Sequence, residues 1–109
     1  MKSLQLRNMT RGWFVGAFSP TALHTELCEA AVKYFNAGES EEAHYHKLAT
    51  EVTVIISGQV RMFEKDWKAG DIVVAEPGDV TAFEALSDSV IVVIKTPCCR
   101  NDKYPLKDL

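Results

Sequence analysis

The chain has no apolar run long enough to cross a bilayer. Its longest, Val90 to Ile94, falls far short of the roughly 18 residues a spanning helix needs. It also lacks a cluster of basic residues. Twelve Lys and Arg against fifteen Asp and Glu leave 109 residues with a formal net charge of −3, whereas phosphate-driven binding of DNA or RNA needs gathered positive charge. The most basic stretch, Arg100 to Lys107, is short and interrupted by Asp102. Cysteine is scarce as well. Two of the three, Cys98 and Cys99, are adjacent, and sequence neighbours pair only through a strained peptide, so no secreted-type disulfide framework is expected. No second Cys or His pair lies near them to complete a sulfur-ligated metal site. The N-terminal residues MKSLQLRNMTRGW scatter their charges and contain no apolar signal core. A cytoplasmic location with reduced thiols is expected, with neither nucleic acid nor membrane as partner.

What is present is frequent punctuation. Gly, Pro, Asn and Asp interrupt the chain at Gly12, Gly16, Pro20, Asn36-Ala37-Gly38, Gly58, Asp66, Gly70, Pro77-Gly78, Ser87-Asp88 and Pro97. The runs between are short and rich in Val, Ile, Phe, Tyr and Thr, the pattern of an all-β sandwich or barrel. Strands are predicted at Gly12 to Phe18, Leu27 to Phe35, Ala43 to His46, Glu51 to Ser57, Gln59 to Phe63, Asp71 to Ala75, Thr81 to Glu84 and Ser89 to Thr96. Thr21 to Ala31 has helix-forming residues, but Cys28, Ala30, Val32 and Tyr34 alternate with polar neighbours and favour a strand in its second half. The length gives one domain: a strand arm over 1–26, a core over about 27–96 and a short, mobile tail over 97–109. Trp13, Phe14 and Phe18 supply more apolar surface than a free arm needs. They predict cover for one barrel face or a homodimer contact.

The segment that carries chemistry runs from Gly38 to Gly58. On a strand, residues two apart share a face, so His44 and His46 point together while Tyr45 points away. Converging imidazoles chelate a first-row transition metal. Glu51 opens the next strand, and an antiparallel neighbour can bring its carboxylate beside the rings. Two His and one carboxylate leave coordination positions open for a substrate or dioxygen. Gly38 and Gly58 stand where the chain turns sharply, at positive φ. Glu39, Glu41 and Glu42 read as a solvated loop, and His24 belongs to no motif.

Gly38, His44, His46, Glu51 and Gly58 meet every specified position of a known signature: Gly, five residues, His-x-His, three or four residues, Glu, six residues, Gly. The chain therefore resembles the cupin superfamily. The resemblance implies a double-stranded β-helix, the jelly-roll barrel, with His44, His46 and Glu51 as ligands of a divalent transition metal. Fe, Mn, Zn, Ni and Cu all suit that donor set. The second cupin signature aligns on Gly70 and Gly78 but departs elsewhere. Glu76 replaces its proline, Thr81 its third histidine and Ala85 its Asn. Thr81 and Phe83 share a strand face and are predicted to line the cavity, whereas Glu84 has the opposite parity and should face outward. Glu76 and Asp79 are alternative carboxylates. The chemistry this implies is binding or turnover of a small polar organic molecule, of sugar or carboxylate type. The alternative is a sensor or accessory module that has lost the full metal site. A metal-free epimerase would need a His–Asp base pair, which the chain does not offer.

Overall fold

The computed structural model describes residues 1–98 and 101–105. Cys99, Arg100 and residues 106–109, with Lys107, lie outside the described residues. Alternation of buried and exposed positions builds the molecule. In Thr81–Ala85 the residues Thr81, Phe83 and Ala85 are buried while Ala82 and Glu84 are exposed, the period of a half-buried strand. The strands are β1 Trp13–Val15, β2 Glu29–Phe35, β3 Ser40–Tyr45, β4 Thr50–Ser57, β5 Gln59–Met62, β6 Lys65–Lys68, β7 Ile72–Ala75, β8 Thr81–Ala85, β9 Ser89–Thr96 and β10 Tyr104–Pro105. They form two five-stranded antiparallel sheets, β1-β2-β9-β4-β7 and β10-β3-β8-β5-β6. This is the all-β jelly roll. No helix among the described residues is long and apolar enough to cross a membrane.

Between the sheets lies an apolar core that includes Ile55, Val60, Val73, Phe83, Ile91 and Val93, with the Phe35 and Phe83 rings 4.6 Å apart. The interior changes character along the strands. On β4 the inward positions run Ile55, Thr53, Glu51, and on β9 they run Ile91, Val93, Lys95. Glu29 lies opposite Lys95, and Lys95 opposite Glu51, across three adjacent strands. One end of the barrel is therefore a charged row above an apolar floor.

Several expectations need correction. The segment expected as a mobile tail returns to the sheet from Asn101 to Pro105: Tyr104 pairs with Tyr45 and Pro105 with His44, and Asp102 is buried. The N-terminal strand is short, and two 3-10 turns, Leu6–Asn8 and Thr10–Gly12, precede it. Trp13, expected to cover a barrel face or a dimer contact, does the former, packing on the chain's own core under the Lys33 ammonium. Exposed apolar side chains lie elsewhere, with Ile56, Ile72, Val74 and Ile94 on the outward positions of β4, β7 and β9.

Gly58 shows why a glycine is required at a barrel corner. Its φ is +82°, and a Cβ there would sit 2.3 Å from the Asp88 carbonyl oxygen. Gly38 has φ +91° with nothing within 4 Å of the added carbon. Gly38→Ala should cost only the backbone conformation, about 1–2 kcal/mol. Gly58→Ala should cost about 3 kcal/mol or more, because backbone must also shift. Urea unfolding of the two variants measures the difference, and equal losses would refute the steric argument.

Candidate metal centre

The structure brings His44, His46 and Glu51 together: one donor atom from each lies within 4.8 Å of the others. The route differs from the expected one. β3 and β4 are not neighbours but belong to opposite sheets, so Glu51 reaches the imidazoles across the barrel interior. The rings of His44 and His46 stand edge to face with centroids 5.5 Å apart.

Backbone carbonyls set both imidazole tautomers. His44 Nδ1 lies 2.9 Å from the Glu42 carbonyl oxygen, and His46 Nδ1 contacts the carbonyl oxygen of Asp102. A carbonyl only accepts, so each Nδ1 carries a proton and each Nε2 is left for the cavity. His46 Nε2 lies 3.0 Å from Glu51 Oε2. Both partners of His46 are acceptors, an arrangement that favours the protonated ring. The hydrogen bond with Glu51 raises its pKa, against the opposing effect of burial. Burial lowers the pKa of His44 and outweighs its bond to Glu42. Burial also pushes the Glu51 carboxyl up, but the bond from His46 and the nearby positive charges hold it below the ordinary value. The donor set fits a divalent ion. One anionic oxygen and two imidazole nitrogens face one point, and each ring is braced from behind, as metal-bound histidines usually are.

Asp102 is the contributor that sequence reasoning missed. Its carboxylate accepts the backbone N–H groups of Lys47, Leu48 and Ala49, at 2.9 to 3.3 Å. Burial raises its pKa, and these three donors lower it by more. One residue thereby holds the turn between the ligands and orients His46. The only sequence signal was an Asp inside a basic stretch, which read as a mere charge interruption. Gly78 adds a second brace, donating its N–H to the His46 carbonyl at 2.7 Å. The turn of the second signature thus supports the first.

The other predicted residues sort clearly. Thr81 and Phe83 line the cavity beside the three donors. The Thr81 hydroxyl accepts the Phe63 N–H at 2.9 Å and donates to the Ala82 carbonyl, so it is committed to backbone. Asp79 also lines the cavity, but its carboxylate accepts the Glu76 N–H in its own turn. Glu76 and Glu84 are exposed, Glu84 as its parity predicts. Glu41 is the surprise. A register shift between Glu41 and His44, with Glu42 and Ala43 of β3 against Ala82 alone of β8, turns both side chains inward. The expected solvated loop is a strand with a bulge. Cys98 is held apart from this centre, its thiol donating to Glu29 Oε1 at 3.1 Å.

The cavity itself measures about 30 Å³.

Neither a protein-family model nor a curated protein sequence matches the chain. Solved structures do match. A double-stranded β-helix protein of Klebsiella pneumoniae aligns at TM-score 0.66 and 24% identity over 71% of this chain and 69% of that one. An RmlC-like cupin from Shewanella frigidimarina aligns at 0.62 and 20% over 72% of each. Oxalate decarboxylase of Bacillus subtilis, described with Mn(II) centres, aligns at 0.62 and 19% over 75% of this chain and 25% of its own length.

Proposed function

We propose that this chain, whose fold is that of the cupins, holds one divalent transition metal through His44 Nε2, His46 Nε2 and Glu51 and presents it to a small polar organic molecule. The observation that carries the reading is the paired bracing of the two imidazoles, which leaves both Nε2 atoms for the cavity, that of His46 at 3.0 Å from the Glu51 carboxylate. When bound, the ion would act as a Lewis acid on an oxygen of the coordinated molecule. The chain's own part is to hold the donors in place and keep bulk water out. Phe83 and Thr81 wall the cavity, and the apolar floor of Ile91 and Val93 closes it below. Oxalate decarboxylase among the structural neighbours shows that this fold accommodates Mn(II) and a carboxylate substrate in another protein.

A second reading rests on Thr81. With its hydroxyl bonded to backbone, three protein donors remain among the described residues, so a binding module with weakly held metal is the alternative. Turnover of any coordinated substrate separates the two.

The test uses protons. An ion entering the site must displace the proton on His46 Nε2. Because that group's pKa lies above 6.5, affinity should already fall as pH drops through a value above 6.5, by about tenfold per pH unit. His44, whose pKa lies below 6.5, adds a second proton only at lower pH, and the slope steepens there. Calorimetric titration with Mn²⁺ or Zn²⁺ at pH 6.5, in buffers of different ionisation enthalpy, should show about one proton released per ion. Binding without proton release, or no binding at all, would refute the assignment.

A further inference from the structure

The metal cavity is small, and it shares lining residues with a groove of about 820 Å³ under the N-terminal turns. Two residues line both spaces, Lys33 and Glu41. Both are largely withdrawn from solvent, at 20% and 30% side-chain exposure. The Glu41 carboxylate stands 3.9 Å from Lys33 Nζ and 3.8 Å from Lys103 Nζ. These are loose contacts, with one carboxylate shared between two ammonium groups. Deeper in, Lys95 bonds Glu29 at 3.6 Å, with both side chains nearly buried. Inward-facing lysines are rare in a barrel unless their charge has a use.

Charge balance points to that use. Around the centre the carboxylates of Glu29, Glu41 and Glu51 match the ammonium groups of Lys33, Lys95 and Lys103. Ligating histidines are neutral, so a divalent ion adds two positive charges that these three carboxylates, already matched by the lysines, do not balance. A low-dielectric site does not tolerate unpaired charge. Arg7 and Arg11 on the groove wall, against Glu39, add to the positive field.

We propose that the groove binds a small organic carboxylate, which takes the place of the Glu41 carboxylate between Lys33 and Lys103 and lies against the open side of the metal centre. This rests on the metal reading above and extends it to the class of ligand. Glu41 then acts as an internal occupant, pairing with the two lysines until a stronger anion displaces it.

The variants should move in opposite directions. With Mn²⁺-loaded protein, calorimetric titration should detect succinate and not its neutral diamide. Lys33→Met, which keeps an aliphatic stem over Trp13, should weaken succinate binding about tenfold. Glu41→Gln should tighten it about threefold or more, since the competitor has lost its charge. Metal content, measured in parallel, should be unchanged in both. General damage would weaken both variants, so tightening by Glu41→Gln is diagnostic. Equal binding of succinate and its diamide, or weaker binding in Glu41→Gln, would overturn the proposal. If the protein retains no Mn²⁺ yet binds succinate with the same dependence on Lys33 and Glu41, the groove assignment stands and the metal reading falls.

Discussion

Replacing His44 and His46 together by alanine should leave the protein without bound metal while its β-sheet circular dichroism stays almost unchanged. The two imidazoles supply two of the three donors that meet in the cavity, and Glu51 alone is a single carboxylate facing a space of about 30 Å³. The loss should reach a thousandfold or more in affinity, about 4 kcal/mol. The fold should survive because its core lies on the far side of the charged row, in Ile55, Val60, Val73, Phe83, Ile91 and Val93. The stability cost should be about 1–3 kcal/mol, from leaving the buried Asp102 carbonyl without its donor and Glu51 without its partner. Elemental analysis of protein purified without affinity tag or chelator checks the outcome. Full metal content in the double variant would place the ion somewhere else.

The three donors that the structure brings together were legible because they are local. His-x-His sharing one face, a carboxylate five residues later and glycines at the two corners are properties of a single 21-residue segment, and local periodicity survives folding. The barrel was legible for the same reason, through short alternating runs between turn residues. What the sequence concealed is non-local or irregular. Glu51 was expected from a paired strand and comes instead from the opposite sheet, since strand order is not written in spacing. Glu41 read as loop because the bulge that turns it inward has no residue signature of its own. Strand β6 was missed because three of its four residues, Lys65, Asp66 and Lys68, are charged. The turn before it places Phe63 and Glu64, rather than Gly or Asn, at positive φ. Trp67, packed on the core and donating its indole N–H to the Met62 carbonyl, is the apolar residue that ties that edge down.

These failures share a cause at the functional end of the molecule. The first signature supplies the ligands, but their bracing comes from residues far off in sequence: Gly78 on the His46 carbonyl, and Asp102 on the His46 ring and on the turn after it. Positions that orient a ligand carry no chemistry of their own and so leave no pattern to read. The consequence for Thr81 is similar. It occupies the position of a missing third imidazole, yet its hydroxyl is engaged by the Phe63 N–H. Thr81→His would have to outweigh the loss of that bond before any gain in metal affinity appeared.

Asp102→Ala should therefore be among the most damaging single changes outside the ligands themselves. Its carboxylate is buried and accepts three backbone donors, from Lys47, Leu48 and Ala49. Removing it leaves three N–H groups without partners, at a cost of about 3 kcal/mol or more. It also frees the segment that carries the Asp102 carbonyl, so His46 loses the acceptor that fixes its tautomer. Metal affinity should fall about 10- to 100-fold, the range for removing a group that orients a ligand. Asp102→Asn separates the two effects. The amide oxygen can keep some of the turn's donors while the backbone carbonyl stays in place, so stability should drop by a smaller amount and metal affinity by less than tenfold. Thermal unfolding in the presence of chelator gives the stability loss, and Zn²⁺ titration gives the affinity. If Asp102→Ala unfolds easily yet binds Zn²⁺ as tightly as the unaltered protein, the carboxylate supports the turn alone. His46 would then be oriented by Glu51 and by the Gly78 brace on its backbone.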